Sequence, residues 1–136
     1  MIPDSVSDQF MAEVVSQLTP DQIGYDGPIE IFALWTNKLT RPLCRFPDEP
    51  IIFGFGCPTR ARSVGTAWKM VERNRRLFER SRELGCMFYP ICSIRVSPQE
   101  FREQYGPQWE AFAAAKQRYD PEKILGPGPG IFDPMD

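Results

Sequence analysis

Apolar positions along this chain recur with two periods, and the period changes at prolines and glycines. Phe10, Met11, Val14, Val15 and Leu18 repeat at helical spacing and predict a helix that Ser5 or Ser7 caps and Thr19-Pro20 stops. Gly24 to Pro28 is a turn-rich link. Ile29-Glu30-Ile31-Phe32-Ala33-Leu34-Trp35 is rich in β-branched and aromatic residues. It is mostly apolar on both faces, which predicts a strand central in a sheet. Thr36 to Pro50 reads as a loop punctuated by Pro42, Pro47 and Pro50. Ile51 to Cys57 predicts a second strand. Gly54 and Gly56 share one of its faces, leaving room for a group to lie close to the backbone.

The strongest helical signal runs from Ser63 to Leu84, with Val64, Ala67, Trp68, Val71, Leu77, Phe78 and Leu84 as the expected buried stripe. Glu72 with Arg76, and Arg75 with Glu79, have the spacing of surface ion pairs. Gly85 stands where a left-handed cap belongs. Met87 to Ile94 predicts a third strand, at an edge or bulged because of Pro90. Ser97-Pro98-Gln99-Glu100 is a capping box with proline at the first helical position. Gly106-Pro107 interrupts that helix, and another continues to Tyr119 with Trp109, Phe112, Ala113 and Lys116 on one side. Asp120-Pro121-Glu122 starts one more turn, and Gly126-Pro127-Gly128-Pro129-Gly130-Ile131-Phe132 can be neither helix nor regular strand.

This order predicts an α+β fold: a mainly antiparallel sheet with covering helices, followed by a helical C-terminal tail. Three strands are few for an independent sheet, so another chain or a second copy is expected to complete it.

Composition narrows the function. The 136 residues suffice for one ordinary domain, and with 42% hydrophobic and 25% charged residues a packed core is feasible. The net charge of −2 gives no reason to expect nucleic acid or a membrane as partner. No apolar run is long enough to span a bilayer and no basic-then-apolar leader opens the chain, so a cytoplasmic location is the simplest reading. There is no histidine, which removes the usual general base and any mixed cysteine/histidine metal site. Cys57, Cys86 and Cys92 read as buried free thiols, and no metal site is expected. Arg73-Asn74-Arg75-Arg76 is offset by Glu72, Glu79 and Glu83 and reads as a solvated helix face. Trp35, Trp68 and Trp109 read as core anchors. Glu30, a single carboxylate in an apolar strand, either faces a pocket or lies at a solvated edge; no carboxylate pair stands out as catalytic.

Four stretches, in order, resemble the cytokinin-dehydrogenase branch of the FAD-linked oxidases. Gly27-Pro28-Ile29-Glu30-Ile31-Phe32 is similar to that family's Gly-Pro strand, and Pro47-Asp48-Glu49-Pro50-Ile51-Ile52-Phe53 to its Pro-Asp-Glu turn. Asn74 matches an asparagine of its long helix. Phe101 to Trp109, Lys116, Tyr119-Asp120-Pro121 and Ile124 to Phe132 resemble a tail of the form Trp-x-x-His-Phe-Gly-x-x-Trp, Lys-x-x-Tyr-Asp-Pro, Leu-x-Pro-Gly-Gln-x-Ile-Phe.

The resemblance implies part of a flavoenzyme cap domain in residues 1–87 and, in 88–136, a segment returning to the FAD domain. It implies FAD as the cofactor of the assembled enzyme, with Tyr89, Gly128 and Pro129 beside the flavin and Pro28 and Glu30 beside the substrate. It places the flavin-carrying histidine and the catalytic acidic residues in a domain outside this chain, so no catalytic residue is assigned here. A separate FAD-binding polypeptide is then one expected partner; a homo-oligomer is the other. The chain departs from the family where Gln104 replaces the histidine and Pro129 replaces a cofactor-holding glutamine. Proline offers neither a backbone donor nor a side-chain amide. On residue chemistry alone, the Gly-Pro tail is either a flavin-side loop or a plain extension stiffened by prolines.

Overall fold

Ile2–Pro3 forms a short strand, β1, that hydropathy does not announce. In a computed structural model, which describes residues 1–19, 29–58, 60–91, 94–125 and 130–132, it is one of three strands. The others are Glu30–Trp35 (β2) and Ile51–Gly56 (β3). All pairings are antiparallel and the order is β1-β3-β2. The fold is α+β, as the sequence predicts.

Its strand membership differs from expectation. The segment expected to be central is β2, yet it lies at an edge, and β3 is the strand with two neighbours. A strand apolar on both faces reads as central, but here several of those side chains are exposed. Met87 to Ile94 forms no strand among its described residues. Pro90 has no N–H for a ladder, and the chain turns there, with the Ile91 N–H donating to the Tyr89 carbonyl at 2.8 Å. The place beside β3 goes to β1 instead. Pro3 opposes Ile52 there. The Thr36 N–H donates to the Pro50 carbonyl at 3.1 Å, which sets the ladder's phase. By antiparallel alternation, Ile52 turns its backbone groups toward β2, and Pro3 needs no N–H.

Two compact units divide the chain: Met1–Leu39 with Phe46–Ile94, and Thr40–Arg45 with Arg95–Asp136. In the first, helix Asp4–Gln17 (α1) follows β1 directly, with Pro3 at its N-cap. Ser5 and Ser7 therefore lie inside the helix and do not cap it. The orphan amides are served from elsewhere: the Glu49 carboxylate accepts from the Ser5 N–H at 3.0 Å and from the Ser5 hydroxyl. Those bonds hold the Glu49 carboxyl below its ordinary range. The Pro-Asp-Glu-Pro stretch is thus a helix cap and a strand lead-in; Thr36 Oγ1 donates to the carbonyl of Glu49 at 2.7 Å.

Helix Val64–Glu83 (α2) begins as predicted, with the Ser63 side chain accepting from the Thr66 N–H. It ends in a Schellman motif. The Cys86 N–H donates to the Ser81 carbonyl, the Gly85 N–H to that of Arg82, and Gly85 takes φ +75°. The predicted stripe is only partly buried. Phe78 is enclosed, but Val64 and Trp68 are 76% and 53% exposed. The contacts with the core lie at the carboxy-terminal end of α2, where Leu77 and Leu84 join Ile2, Phe10, Val14 and Cys86, with Phe53 and Phe55 packed against them. Trp35 is also exposed, so neither it nor Trp68 anchors a core. Of the cysteines read as buried, Cys86 is, Cys57 is half-buried and Cys92 lies outside the described residues.

In the second unit, helix Pro98–Tyr105 (α3) carries the predicted capping box on Ser97 and Glu100. A single 3-10 turn at Gly106–Gln108 leads into helix Trp109–Tyr119 (α4). Phe101 is completely buried and stacks on Tyr105, which contacts Trp109 and Phe112.

Candidate functional site

Glu30 opens β2 and is exposed. It opposes Gly56, and its Oε2 lies 3.3 Å from where a Cβ on Gly56 would stand. Two residues on, Phe32 opposes Gly54, and its ring passes 2.3 Å from the corresponding Cβ position. The space left by the two glycines is therefore taken by this chain's own cross-strand side chains. An aromatic ring over a strand glycine restores the packing that glycine lacks.

Tyr89 follows α2 and is 52% exposed, so its ring is not part of the core. Pro28, Gly128 and Pro129 lie outside the described residues. Of the residues assigned by resemblance, the structure thus places Tyr89 and Glu30, both in the first unit and both at its surface.

The tail has a feature that sequence reasoning passed over. Asp120 is 3% exposed, and its carboxylate receives the Lys116 ammonium on one oxygen. Its other oxygen accepts from the N–H groups of Ile124 and Leu125, at 2.9 and 3.3 Å. The Lys116 bond holds the Asp120 carboxyl below the usual carboxylate range, against the effect of burial. Further on, Phe132 packs on Trp109 and Phe112, at 5.4 and 4.9 Å between ring centroids. The described residues on either side of the Gly-Pro stretch are therefore both fixed to α4. The signal was present in the sequence: Lys116 and Asp120 stand four apart at a helix end.

A flavin demands a planar apolar wall and polar groups for its ring edge and pyrophosphate. The exposed ring of Tyr89 fits the first demand. Among the described residues every buried side-chain nitrogen and oxygen already has a partner. None is an orphan aimed at a cofactor's polar groups. No group of three or more His, Cys, Asp or Glu side chains among them could hold a metal ion. No helix among them is long and apolar enough to cross a membrane.

Comparison with known proteins sets these features in a family. The family model described as "Cytokinin dehydrogenase 1, FAD and cytokinin binding" matches residues 1–132. An oxidoreductase encoded by open reading frame 5 of the fasciation locus of Rhodococcoides fascians is 33% identical over 128 residues, covering 94% of this chain and 29% of that protein. Cytokinin dehydrogenase 8 of Oryza sativa subsp. japonica is 29% identical over 150 residues, covering 99% of this chain and 27% of its own. Cytokinin dehydrogenase 3 of Arabidopsis thaliana is 25% identical over 113 residues, covering 81% of this chain and 21% of its own. The chain spans less than a third of the length of these relatives, and what it shares with them runs through both of its units. It belongs to the cytokinin-dehydrogenase family of FAD-dependent oxidoreductases.

Proposed function

We propose that this chain serves as the carboxy-terminal part of an FAD-dependent oxidoreductase, with the flavin held mainly by residues outside it. The carrying observation is a match to the family's FAD- and substrate-binding model over residues 1–132, in a chain that spans 29% of a relative. On this reading residues 1–87 form a substrate-cap region and residues 88–136 return toward the flavin domain. Pro28 and Glu30 line the substrate pocket; Tyr89, Gly128 and Pro129 make the minor flavin contacts. The flavin supplies hydride acceptance when bound. The protein is cytoplasmic, and alone it is inactive.

The relatives' names suggest a cytokinin as substrate class. The test is an assay with an artificial electron acceptor. The chain is mixed with the remainder of the Rhodococcoides fascians relative in the presence of FAD. Activity in the mixture and none in either part supports the reading; turnover by the chain alone, or none in the mixture, contradicts it.

A second reading is a non-catalytic oligomeric or protein-binding remnant. It is favoured by the exposed apolar side chains of β2.

A further inference from the structure

Among the described residues β2 is an edge strand. Its pairing with β3 is continuous from Glu30 opposite Gly56 to Trp35 opposite Ile51, with no bulge. Edges exposed to solvent are ordinarily blunted by lysine, proline, a bulge or a cover. β2 contains neither lysine nor proline. Ile31, Phe32 and Trp35 are 49%, 52% and 61% exposed. Among the described residues β3 is its only strand neighbour.

The ladder's phase says which backbone groups are free. Since the Thr36 N–H points to Pro50, alternation turns the N–H and C=O groups of Glu30, Phe32 and Leu34 toward β3. Those of Ile31, Ala33 and Trp35 turn outward. An antiparallel partner must hydrogen-bond to these three residues.

We propose that β2 pairs with β2 of a second copy, antiparallel about a two-fold axis at Ala33. A two-fold axis normal to a sheet must pass midway between a residue and its own copy, because hydrogen-bonded and non-hydrogen-bonded pairs alternate. With Ala33 on the axis, Ile31 faces Trp35 and Trp35 faces Ile31, and all three outward residues are used. The smallest side chain of the strand sits at the axis. The flanking pairs are β-branched on aromatic, which favours cross-strand packing. On the other face, Phe32 meets Leu34. Charge agrees as well: Glu30 lies opposite Thr36, at the end where Lys38 of the second copy stands, so no like charges meet. The symmetric sheet then has six strands. This goes beyond the proposed function and uses none of the residues assigned to the flavin.

The test is the mass of the purified chain by light scattering, together with cysteine crosslinking. The expected mass is twice the 15.6 kDa of one chain. Ala33→Pro removes an outward N–H, and Trp35→Lys guards an exposed position; both should give monomers with unchanged circular dichroism. On oxidation, Ala33→Cys should link to itself above the background of the natural cysteines. Ile31→Cys should not link to itself but should link to Trp35→Cys when the two variants are mixed. A monomer at all concentrations overturns the proposal, as does a dimer that survives Trp35→Lys or an Ile31→Cys self-link as efficient as that of Ala33→Cys.

Discussion

Arg80 grips Glu13 through two nitrogens, Nε on one carboxylate oxygen at 2.6 Å and Nη2 on the other at 2.7 Å, and so joins α2 to α1. Gln9 adds a bond to the same carboxylate at 3.0 Å. Bidentate guanidinium–carboxylate geometry is the strong form of such a pair. It is also a long-range contact between helices that no local pattern reveals.

The pair predicts a pH dependence. The Arg80 bond holds the Glu13 carboxyl near a pKa of about 2, against an ordinary value of 4.5. A carboxyl depressed in the folded state contributes stability above its unfolded value, and loses it as pH falls through the folded value. Thermal stability should therefore decline between about pH 4.5 and about pH 2 more steeply in the natural chain than in Glu13→Gln. Melting curves across that range decide it; parallel curves would remove the role given to the pair.

The Phe32–Gly54 contact predicts a coupled pair. Gly54→Ala puts a methyl 2.3 Å from the Phe32 ring, which must move. The single change should cost about 1–3 kcal/mol, as overpacking does. Combined with Phe32→Ala it should cost much less than the sum. A double-mutant cycle by urea unfolding gives the coupling; additive losses would mean that the ring is not held over the glycine.

Asp120 predicts the behaviour of the tail. Asp120→Asn should weaken the Lys116 bond and loosen the turn that Asp120 holds through Ile124 and Leu125. Hydrogen exchange should show these two amides losing protection while those of α3 keep theirs. Unchanged protection would mean that the carboxylate is not what orders the turn.

Cysteine reactivity predicts a ranking. Burial pushes the Cys86 thiol up, so at neutral pH it carries less thiolate than an ordinary cysteine. In the folded protein Cys86 should be alkylated more slowly than Cys44 and Cys57, which are half-buried. Mass spectrometry after iodoacetamide treatment reads the order directly, and loss of the difference in urea confirms that folding imposes it.

What could be read from the sequence was local. The helix start at Ser63, the Gly85 terminator, the Ser97–Glu100 capping box and the break at Gly106-Pro107 rest on neighbours within a few residues, and each is where expected. The sheet was legible in type but not in membership. Ile2–Pro3 is too short to carry a period, and Pro3 fits only because its partner turns away. Periodicity also overstated the burial of α2, since Val64 and Trp68 have the spacing of a core face and are exposed. In the candidate site, Glu30 and Tyr89 were reached through resemblance, and the structure places both at the surface of the first unit. Asp120 was missed because a lysine and an aspartate four apart usually mark a solvated helix end, whereas here Asp120 is buried and accepts from two further amides.

The most direct test of the account is a visible absorption spectrum. The chain is equilibrated with excess FAD, alone and with the remainder of the Rhodococcoides fascians relative, and the unbound cofactor is removed by gel filtration. The account predicts a colourless chain alone and, in the mixture, flavin bands that co-elute with both polypeptides. Flavin retained by the isolated chain, or a chain that elutes apart from the flavin-bearing partner, would contradict it.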